Sequence, residues 1–226
     1  MPRVCVFDVN ETLLNLDGLD PLFTRSFGDG PAARREWFTQ MIQNALVSIV
    51  TDHYHPFGEI GRAALAMTAA RRGVLLTDEE RDAILSGIRT LEPHADVHDC
   101  LRHLRAAGLR LAALTNSTLA VAEAQLTHAG IRTYFEQVIS ADEARRLKPA
   151  PEPYRLAAER LGVTVGEVRL VAAHAWDVAG ALHAGCAAAF VARKGLEYDP
   201  LAPQPDIVAL DLRDAAEQIA RVETEH

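Results

Sequence analysis

Short apolar segments alternate with amphipathic segments along most of this chain, and this alternation limits the possible folds more than any other feature. Strands separated by helices of about a dozen residues are typical of βαβ units, which build a parallel sheet covered by helices on both faces. We predict strands at 4–9, 109–115, 137–140, 168–173, 188–192 and, weakly, 206–210, with helices at 97–107, 119–129, 152–161, 176–184 and 212–222. The sequence therefore predicts an α/β fold with a Rossmann-like, doubly wound parallel sheet.

One long interval interrupts the alternation. Between the first and second predicted strands the periodicity is helical, over 34–50, 57–72 and 78–90, and Thr77 and Glu80 form a capping box for the last of these. We predict a Rossmann-like core at 1–15 and 93–226 and an inserted, all-helical cap at 16–92. An insertion directly after the first strand is well placed to act as a lid.

Composition excludes several classes of protein. With 49% hydrophobic and 24% charged residues the chain has the composition of a globular protein, and a formal charge of −8 argues against broad binding to nucleic acid or anionic membranes. The widely spaced Cys5, Cys100 and Cys186 are expected to be core residues in a reducing compartment. Because residues 3–9 already form a strand and no apolar run could span a bilayer, we predict a cytoplasmic protein without membrane or nucleic-acid partners.

Polar residues follow four of the predicted strands, and the ends of parallel strands share one rim of the sheet. Each segment alone has a simpler explanation, such as a helix cap or an exposed loop. Their common position favours a functional site instead. The segments are Asp8–Thr12, Leu114–Ser117, Arg146–Tyr154 and Ala172–Asp177.

The series Asp8, Thr12, Thr115-Asn116, Lys148-Pro149 and Asp177, with a helical insert after the first strand, resembles the haloacid dehalogenase superfamily over essentially the whole chain. Most members are magnesium-dependent phosphatases, so the resemblance alone leaves the reaction open.

Two positions weaken the phosphatase interpretation. A phosphoryl group approaching the Asp8 carboxylate needs a Mg²⁺ held by several oxygen ligands. In the phosphatases that the chain resembles, these come from an acid two residues after the nucleophile and a pair of acids in the fourth segment. Asn10 and Ala173 occupy two of these positions, and only Asp177 is an acid. We therefore predict no metal and no cofactor.

The metal-free branch is that of the L-2-haloacid dehalogenases, which the strings Lys148-Pro149-x-Pro151, Ala175-Trp176-Asp177 and Tyr54-His55-Pro56-Phe57 resemble. The resemblance implies that Asp8 attacks C2 of a 2-haloalkanoate and that water hydrolyses the resulting ester. The implied catalytic residues are Asp8, Lys148, Asp177 and Thr12, with Lys148 keeping Asp8 ionised and Asp177 activating the water. Thr12, Thr115 and Asn116 would hold the substrate carboxylate. The implied substrate-binding residues are Asn10, Phe38, Phe57, Thr115, Asn116, Tyr154, His174 and Trp176.

The chain departs from this branch at the leaving-group position. The resemblance implies an arginine on the first cap helix that holds the departing halide, and counting from Trp37 the matching residue is Phe38. Arg34 and Arg35 precede it and are expected to be solvated surface residues. In the fourth segment Ala172 and His174 replace a serine and an asparagine of the family.

His174 has two interpretations of about equal weight. Near a strand end between alanines it could be a packed, hydrogen-bonded core group, or it could donate a proton to the leaving group or the water. We expect His53, His55 and His94 to be loop or surface residues.

The sequence thus predicts a hydrolase that converts short (S)-2-haloalkanoic acids to 2-hydroxy acids through an aspartyl ester, with a small halocarboxylate as its partner and a homodimer as a compatible state. Three alternatives stay open: a phosphatase with a depleted Mg²⁺ site, a non-catalytic relative that binds a small carboxylate or another protein, and an enzyme that expels a different leaving group, such as fluoride or a non-halide.

Overall fold

The structure, a computed structural model, describes residues 3–224 and contains one six-stranded parallel sheet. The strand order is β3-β2-β1-β4-β5-β6, with β1 in the middle. The strands are β1 (Val4–Phe7), β2 (Leu111–Thr115), β3 (Gln137–Ser140), β4 (Val168–Ala172), β5 (Ala187–Val191) and β6 (Ile207–Ala209). The predicted α/β fold with a doubly wound sheet is confirmed.

Helices follow the strands and also fill the long interval between β1 and β2. In the interval lie α1 (Asp20–Phe27), α2 (Gly30–Val50), α3 (Phe57–Arg72) and α4 (Asp78–Gly87). The remaining helices are α5 (Val97–Ala106), α6 (Leu119–His128), α7 (Pro151–Leu161), α8 (Ala175–Ala184) and α9 (Leu212–Thr224). Short 3-10 helices lie at Leu16–Leu19, Ile88–Thr90, Arg132–Tyr134, Ala141–Ala144 and Val165–Glu167. The all-helical insertion after β1 is confirmed, whereas the division of the chain at 16 and 92 stays a prediction.

Local signals explain most of the helix ends. Thr77 caps α4 and forms the predicted capping box with Glu80. Helix α1 was not predicted, although Pro21 stands in its first turn and Gly28 ends it in the left-handed conformation. Helix α2 begins at Gly30, four residues before the predicted start, because Asp29 caps it.

The sheet is buried on both faces, as its parallel strands require. Along β1, Val4 and Val6 belong to one apolar cluster and Cys5 and Phe7 to the other. The second of these clusters continues into the inserted helices, so the insertion packs on the core through apolar side chains. The three cysteines are free and buried, as predicted.

The chain runs from β1 outward to β3 on one side and then returns to β4 on the other. The carboxyl ends of β1 and β4 therefore meet where the strand order reverses, a position at which open α/β sheets bind ligands. None of the helices in residues 3–224 is long and apolar enough to cross a membrane. The predicted cytoplasmic location and homodimer stay predictions.

Candidate active site

Asp8 follows β1 directly and is 5% exposed at the rim of the sheet. Its Oδ2 accepts a hydrogen bond from Thr12 Oγ1 at 2.7 Å, and the Thr12 hydroxyl in turn accepts one from Ala173 N at 3.0 Å. Between them, Glu11 adopts φ 63°, a left-handed conformation that brings the chain back toward the strand. The turn therefore fixes the orientation of the carboxylate and ties it to the end of β4.

Lys148 lies between two carboxylates. Its Nζ donates to Asp8 Oδ1 at 2.7 Å, to Asp177 Oδ2 at 2.6 Å and to the Leu114 carbonyl at 3.0 Å, which uses all three ammonium protons. The side chain of Asn116 binds the Lys148 backbone on both sides, accepting from its N–H at 2.8 Å and donating to its carbonyl at 3.3 Å. Hydrogen bonds thus fix both the backbone and the ammonium group of Lys148.

Tyr154 is the fourth member of the buried cluster that contains Asp8, Lys148 and Asp177. Its hydroxyl donates to Asp177 Oδ1 at 2.6 Å, so both carboxylate oxygens of Asp177 are engaged. The close approach of α8 and α7 depends on Gly180, because a Cβ there would lie 2.5 Å from Pro149 Cβ and 2.7 Å from Tyr154 Oη. A bulkier residue at this position would push apart the loop and helix that hold Lys148 and Asp177.

The two carboxyl groups respond to their surroundings in opposite directions. Burial alone would raise the pKa of Asp8, but the Lys148 ammonium and His174 outweigh it and hold that pKa well below its usual range. Burial, reinforced by the negative charge of Asp8, raises the pKa of Asp177. Burial would lower the pKa of Lys148, yet Asp177 and Asp8 raise it. Asp8 is therefore ionised and Lys148 charged.

His174 lies at the end of β4, 6% exposed, with its ring against Trp176 and Phe38. Its Nε2 is 2.7 Å from Glu11 Oε2, and its Nδ1 is 3.7 Å from Asp8 Oδ2. Burial would lower the pKa of His174, but Asp8 and Glu11 raise it to about 9. The imidazole is therefore charged at neutral pH.

These groups surround a small cavity between the sheet and the inserted helices. Its volume of about 10 Å³ has room for about one water molecule. Binding of any larger ligand therefore requires the surrounding side chains to move. Phe57, on α3, lines both this cavity and a neighbouring groove of about 620 Å³.

Nine of the twelve predicted site residues line this cavity. The cavity is lined by Asp8, Asn10, Phe38, Phe57, Thr115, Asn116, Lys148, His174 and Trp176, with Ile42 in addition. Thr12, Asp177 and Tyr154 are fully buried and do not line it. Their hydroxyls donate to Asp8 and Asp177, and the predicted substrate contacts of Thr12 and Tyr154 stay predictions. Asp177 likewise lies behind Lys148, and its action on the water stays a prediction.

Two predictions about arginines have different outcomes. Arg35 is exposed, as expected, but Arg34 is only 4% exposed and was wrongly expected to be a solvated residue. Its guanidinium binds Asp17, contacts Asp20 at 2.6 Å and lies 3.9 Å from Glu11 Oε1. Three acids on nearby turns thus hold Arg34 away from the cavity.

Sequence reasoning also missed Glu11 and Gln125. Glu11 pairs with His174, and its acidic side chain next to Asn10 gave no signal that distinguished it from a surface residue. Gln125 is fully buried on α6, where its Nε2 donates to Asn10 Oδ1 and to the Ile88 carbonyl, both at 2.9 Å. A glutamine within an amphipathic helix carries no comparable signal.

The donor set does not fit a magnesium ion. Asn10 Oδ1 is already bound to Gln125, Ala173 offers no side-chain oxygen, and both oxygens of Asp177 are engaged. The Lys148 ammonium already lies between Asp8 and Asp177, where it neutralises them. Within residues 3–224 no group of three or more His, Cys, Asp or Glu side chains is arranged to hold a metal ion.

The chain is similar to 2-haloacid dehalogenases in both sequence and structure. The (S)-2-haloacid dehalogenase of Xanthobacter autotrophicus is 31% identical over 198 residues, covering 87% of this chain and 78% of that protein. The (S)-2-haloacid dehalogenase 2 of Pseudomonas sp. (strain CBS-3) is 28% identical over 207 residues, covering 91% and 90%. The solved structure of the L-2-haloacid dehalogenase from X. autotrophicus with chloropropionic acid covalently bound matches with a TM-score of 0.90 and 27% identity, covering 97% of this chain and 98% of that one.

The resemblance inferred from the sequence motifs is thereby confirmed. A family model for haloacid dehalogenase-like hydrolases matches residues 2–185, which include all four polar segments at the rim of the sheet. The chain belongs to the haloacid dehalogenase-like hydrolase family.

Proposed function

We propose that this protein hydrolyses the carbon–halogen bond of short (S)-2-haloalkanoic acids without a metal ion. The observation that carries the proposal is an ionised Asp8 whose Oδ1 is held 2.7 Å from the charged Lys148 Nζ, in a cavity that three aromatic side chains also line. The relatives named above, (S)-2-haloacid dehalogenases, support the substrate class.

In the first step, an oxygen of Asp8 attacks C2, the bond between C2 and the halogen breaks, and the halide leaves with the bonding electrons. The lowered pKa of Asp8 keeps this nucleophile ionised. Thr12 and Lys148 each bind one of its oxygens, so the carboxylate is oriented before substrate arrives. The solved relative with covalently bound chloropropionic acid supports an ester at this stage.

In the second step, water attacks the carbonyl carbon of the Asp8 ester, and the bond between that carbon and the oxygen attached to C2 breaks. One proton of the water completes the hydroxyl group of the released 2-hydroxy acid, whose C2 is inverted, and the other is released to solvent as the Asp8 carboxylate is regenerated. Negative charge then develops on the carbonyl oxygen of the ester, and the Lys148 ammonium is placed to stabilise it. Asp177 and Tyr154 keep the ammonium in position. The predicted proton transfer from water to Asp177 would require this buried pair to open.

The aromatic side chains of Phe38, Phe57 and Trp176 give the cavity apolar walls. Such walls suit C2 and a short alkyl group, and they exclude bulk water from the nucleophile. Because the cavity is small, we expect two- and three-carbon acids to be preferred over longer ones.

Halide release from (S)-2-chloropropionate and monochloroacetate, measured with and without EDTA, tests the function. We expect turnover that EDTA leaves unchanged and that Asp8→Asn abolishes, because an amide is not a nucleophile toward C2. Mg²⁺-dependent release of p-nitrophenol from its phosphate would instead identify the phosphatase alternative. Ligand-induced stabilisation without turnover of any haloacid would identify the non-catalytic alternative.

A further inference from the structure

The leaving-group side of the site lacks the cation that the resemblance implies. Phe38 occupies the expected arginine position on α2, and it lines the cavity with an apolar ring. Arg34, one helical turn earlier, is bound to Asp17 and Asp20 and does not line the cavity. If the proposed function is correct, a halide leaving this site needs another positively charged partner.

His174 lies next to the position from which that arginine is absent. Its ring centroid is 5.7 Å from that of Phe38 and 5.3 Å from that of Trp176, so it lies between two walls of the cavity. Among residues 3–224, its Nδ1 has no hydrogen-bond partner although it is buried, and it lies 3.7 Å from Asp8 Oδ2. A buried donor without a partner costs free energy unless a ligand satisfies it.

The other side of the ring shows how the charge is maintained. Glu11 Oε2 binds Nε2 at 2.7 Å, and Glu11 Oε1 lies 3.9 Å from Arg34 Nη1. Asp8 is the second acid facing the ring, and its other oxygen is bound to Lys148. Asp8 and Glu11 together keep the imidazole protonated on both nitrogens, and its Nδ1–H lies beside Asp8 in the lining of the cavity.

We infer that His174 is a catalytic residue that binds the departing halide through Nδ1–H and so replaces the arginine missing at Phe38. As Asp8 forms its bond to C2, the carbon–halogen bond breaks and its electron pair stays on the halide. The imidazolium keeps its proton and donates a charge-assisted hydrogen bond to the new anion. The halide then exchanges into water, and His174 is unchanged for the next turnover.

This role has a signature in the choice of halogen. Chloride is a poorer leaving group than bromide and holds a more concentrated charge, so it gains more from a hydrogen-bond donor in the transition state. Loss of the donor should therefore slow chlorinated substrates more than brominated ones.

The test compares the wild type with His174→Asn, which carries the residue that the family has at this position and keeps a polar side chain. We expect kcat/KM for (S)-2-chloropropionate to fall about 10²-fold, as for loss of one transition-state donor. We expect the fall for (S)-2-bromopropionate to be about tenfold smaller, and inhibition by added bromide to weaken. His183→Asn, at an exposed position on α8, is the matched control and should leave both kcat/KM values and the inhibition by bromide unchanged.

The outcomes separate the inference from the function on which it rests. Absence of halide release from the wild type would overturn both. Wild-type turnover with an unchanged chloro-to-bromo ratio and unchanged bromide inhibition in His174→Asn would overturn only the inference. A variant that loses inhibition by lactate but not by bromide would show that His174 binds the carboxylate, which also overturns it. Bromide inhibition of the wild type across pH needs no variant: it should weaken as pH rises through about 9, and a flat profile would contradict the inference.

Discussion

The two walls of this active site are built in different ways. On the core side, the carboxylate oxygens of Asp8 and Asp177 and the Lys148 ammonium all have hydrogen-bond partners within the protein. On the side facing the inserted helices, Phe38 and Phe57 are apolar, and His174 Nδ1 is a buried polar atom without a hydrogen-bond partner in the part of the chain that the structure describes. The core side is thus complete without a ligand, whereas the other side is not.

We infer from this difference that the core side carries out the reaction and that the opposite side determines which substrates are preferred. A fully bonded nucleophile is oriented in advance and changes little when substrate binds. An unsatisfied donor on the opposite wall discriminates between ligands, because only a ligand that accepts a hydrogen bond removes its cost. We therefore expect changes on the core side to affect all substrates alike, and changes around His174 to depend on the leaving group and on pH.

After Asp8→Asn, the largest effect should come from Lys148→Met, which keeps an unbranched side chain of similar length but removes its charge. Asp8 and Asp177 would then face each other without a cation, and the pKa of Asp8 would rise. We expect kcat/KM for chlorinated and brominated substrates to fall alike, by about 10³-fold. Steady-state halide release measures this.

The chain offers a matched control, because its other lysine, Lys194, is exposed. Lys194→Met should retain wild-type rates. Lys148→Met could instead change the ratio of the rates for chlorinated and brominated substrates. That result would contradict our expectation that changes on the core side affect all substrates alike.

Glu11→Gln should have a smaller effect that depends on pH. With a pKa of about 9, His174 is protonated below that pH and loses its charge as pH rises through it, so wild-type kcat/KM should fall there. The variant removes one of the two acids that raise this pKa, since Asp8 remains. The basic limb of the profile should therefore move to lower pH, toward the ordinary histidine value of about 6.5.

The profile is measured as kcat/KM for (S)-2-chloropropionate, which reports groups of the free enzyme. Glu197→Gln, an exposed substitution, is the control and should retain the wild-type limb. Identical profiles for Glu11→Gln and the wild type would show that Glu11 does not maintain the charge of His174.

Sequence patterns predicted the core side better than the opposite wall. Apolar strands followed by Asp8 and Thr115 determine which side chains reach one rim, because the topology places the strand ends together. The partners of Glu11, Arg34 and Gln125 depend on how the inserted helices pack on that rim, and no spacing in the sequence reports it. Tyr154 shows the same limit: its position after Lys148-Pro149 predicts that it lies near the site, but no spacing in the sequence predicts that its hydroxyl donates to Asp177.

The smallest effect should come from Tyr154→Phe. This variant tests whether Tyr154 supports Asp177 and Lys148 or contacts the substrate. Its hydroxyl donates to Asp177 Oδ1 at 2.6 Å and does not line the cavity. The phenyl ring would preserve the packing but leave that carboxylate oxygen without its donor, so Lys148 would be held less firmly. We expect kcat to fall a few-fold with KM unchanged, for chlorinated and brominated substrates equally.

A substrate-binding tyrosine would give the opposite division, because loss of a ground-state contact raises KM and leaves kcat unchanged. Tyr134→Phe is the control, since Tyr134 packs against His98 away from the site, with ring centroids 6.0 Å apart. A rise in KM with Tyr154→Phe alone would show that the hydroxyl reaches the substrate. In that case the Tyr154 hydroxyl would be shared between Asp177 and the bound acid. The hydrogen bonds of the core side would then depend on the ligand, as we infer for His174 on the opposite wall.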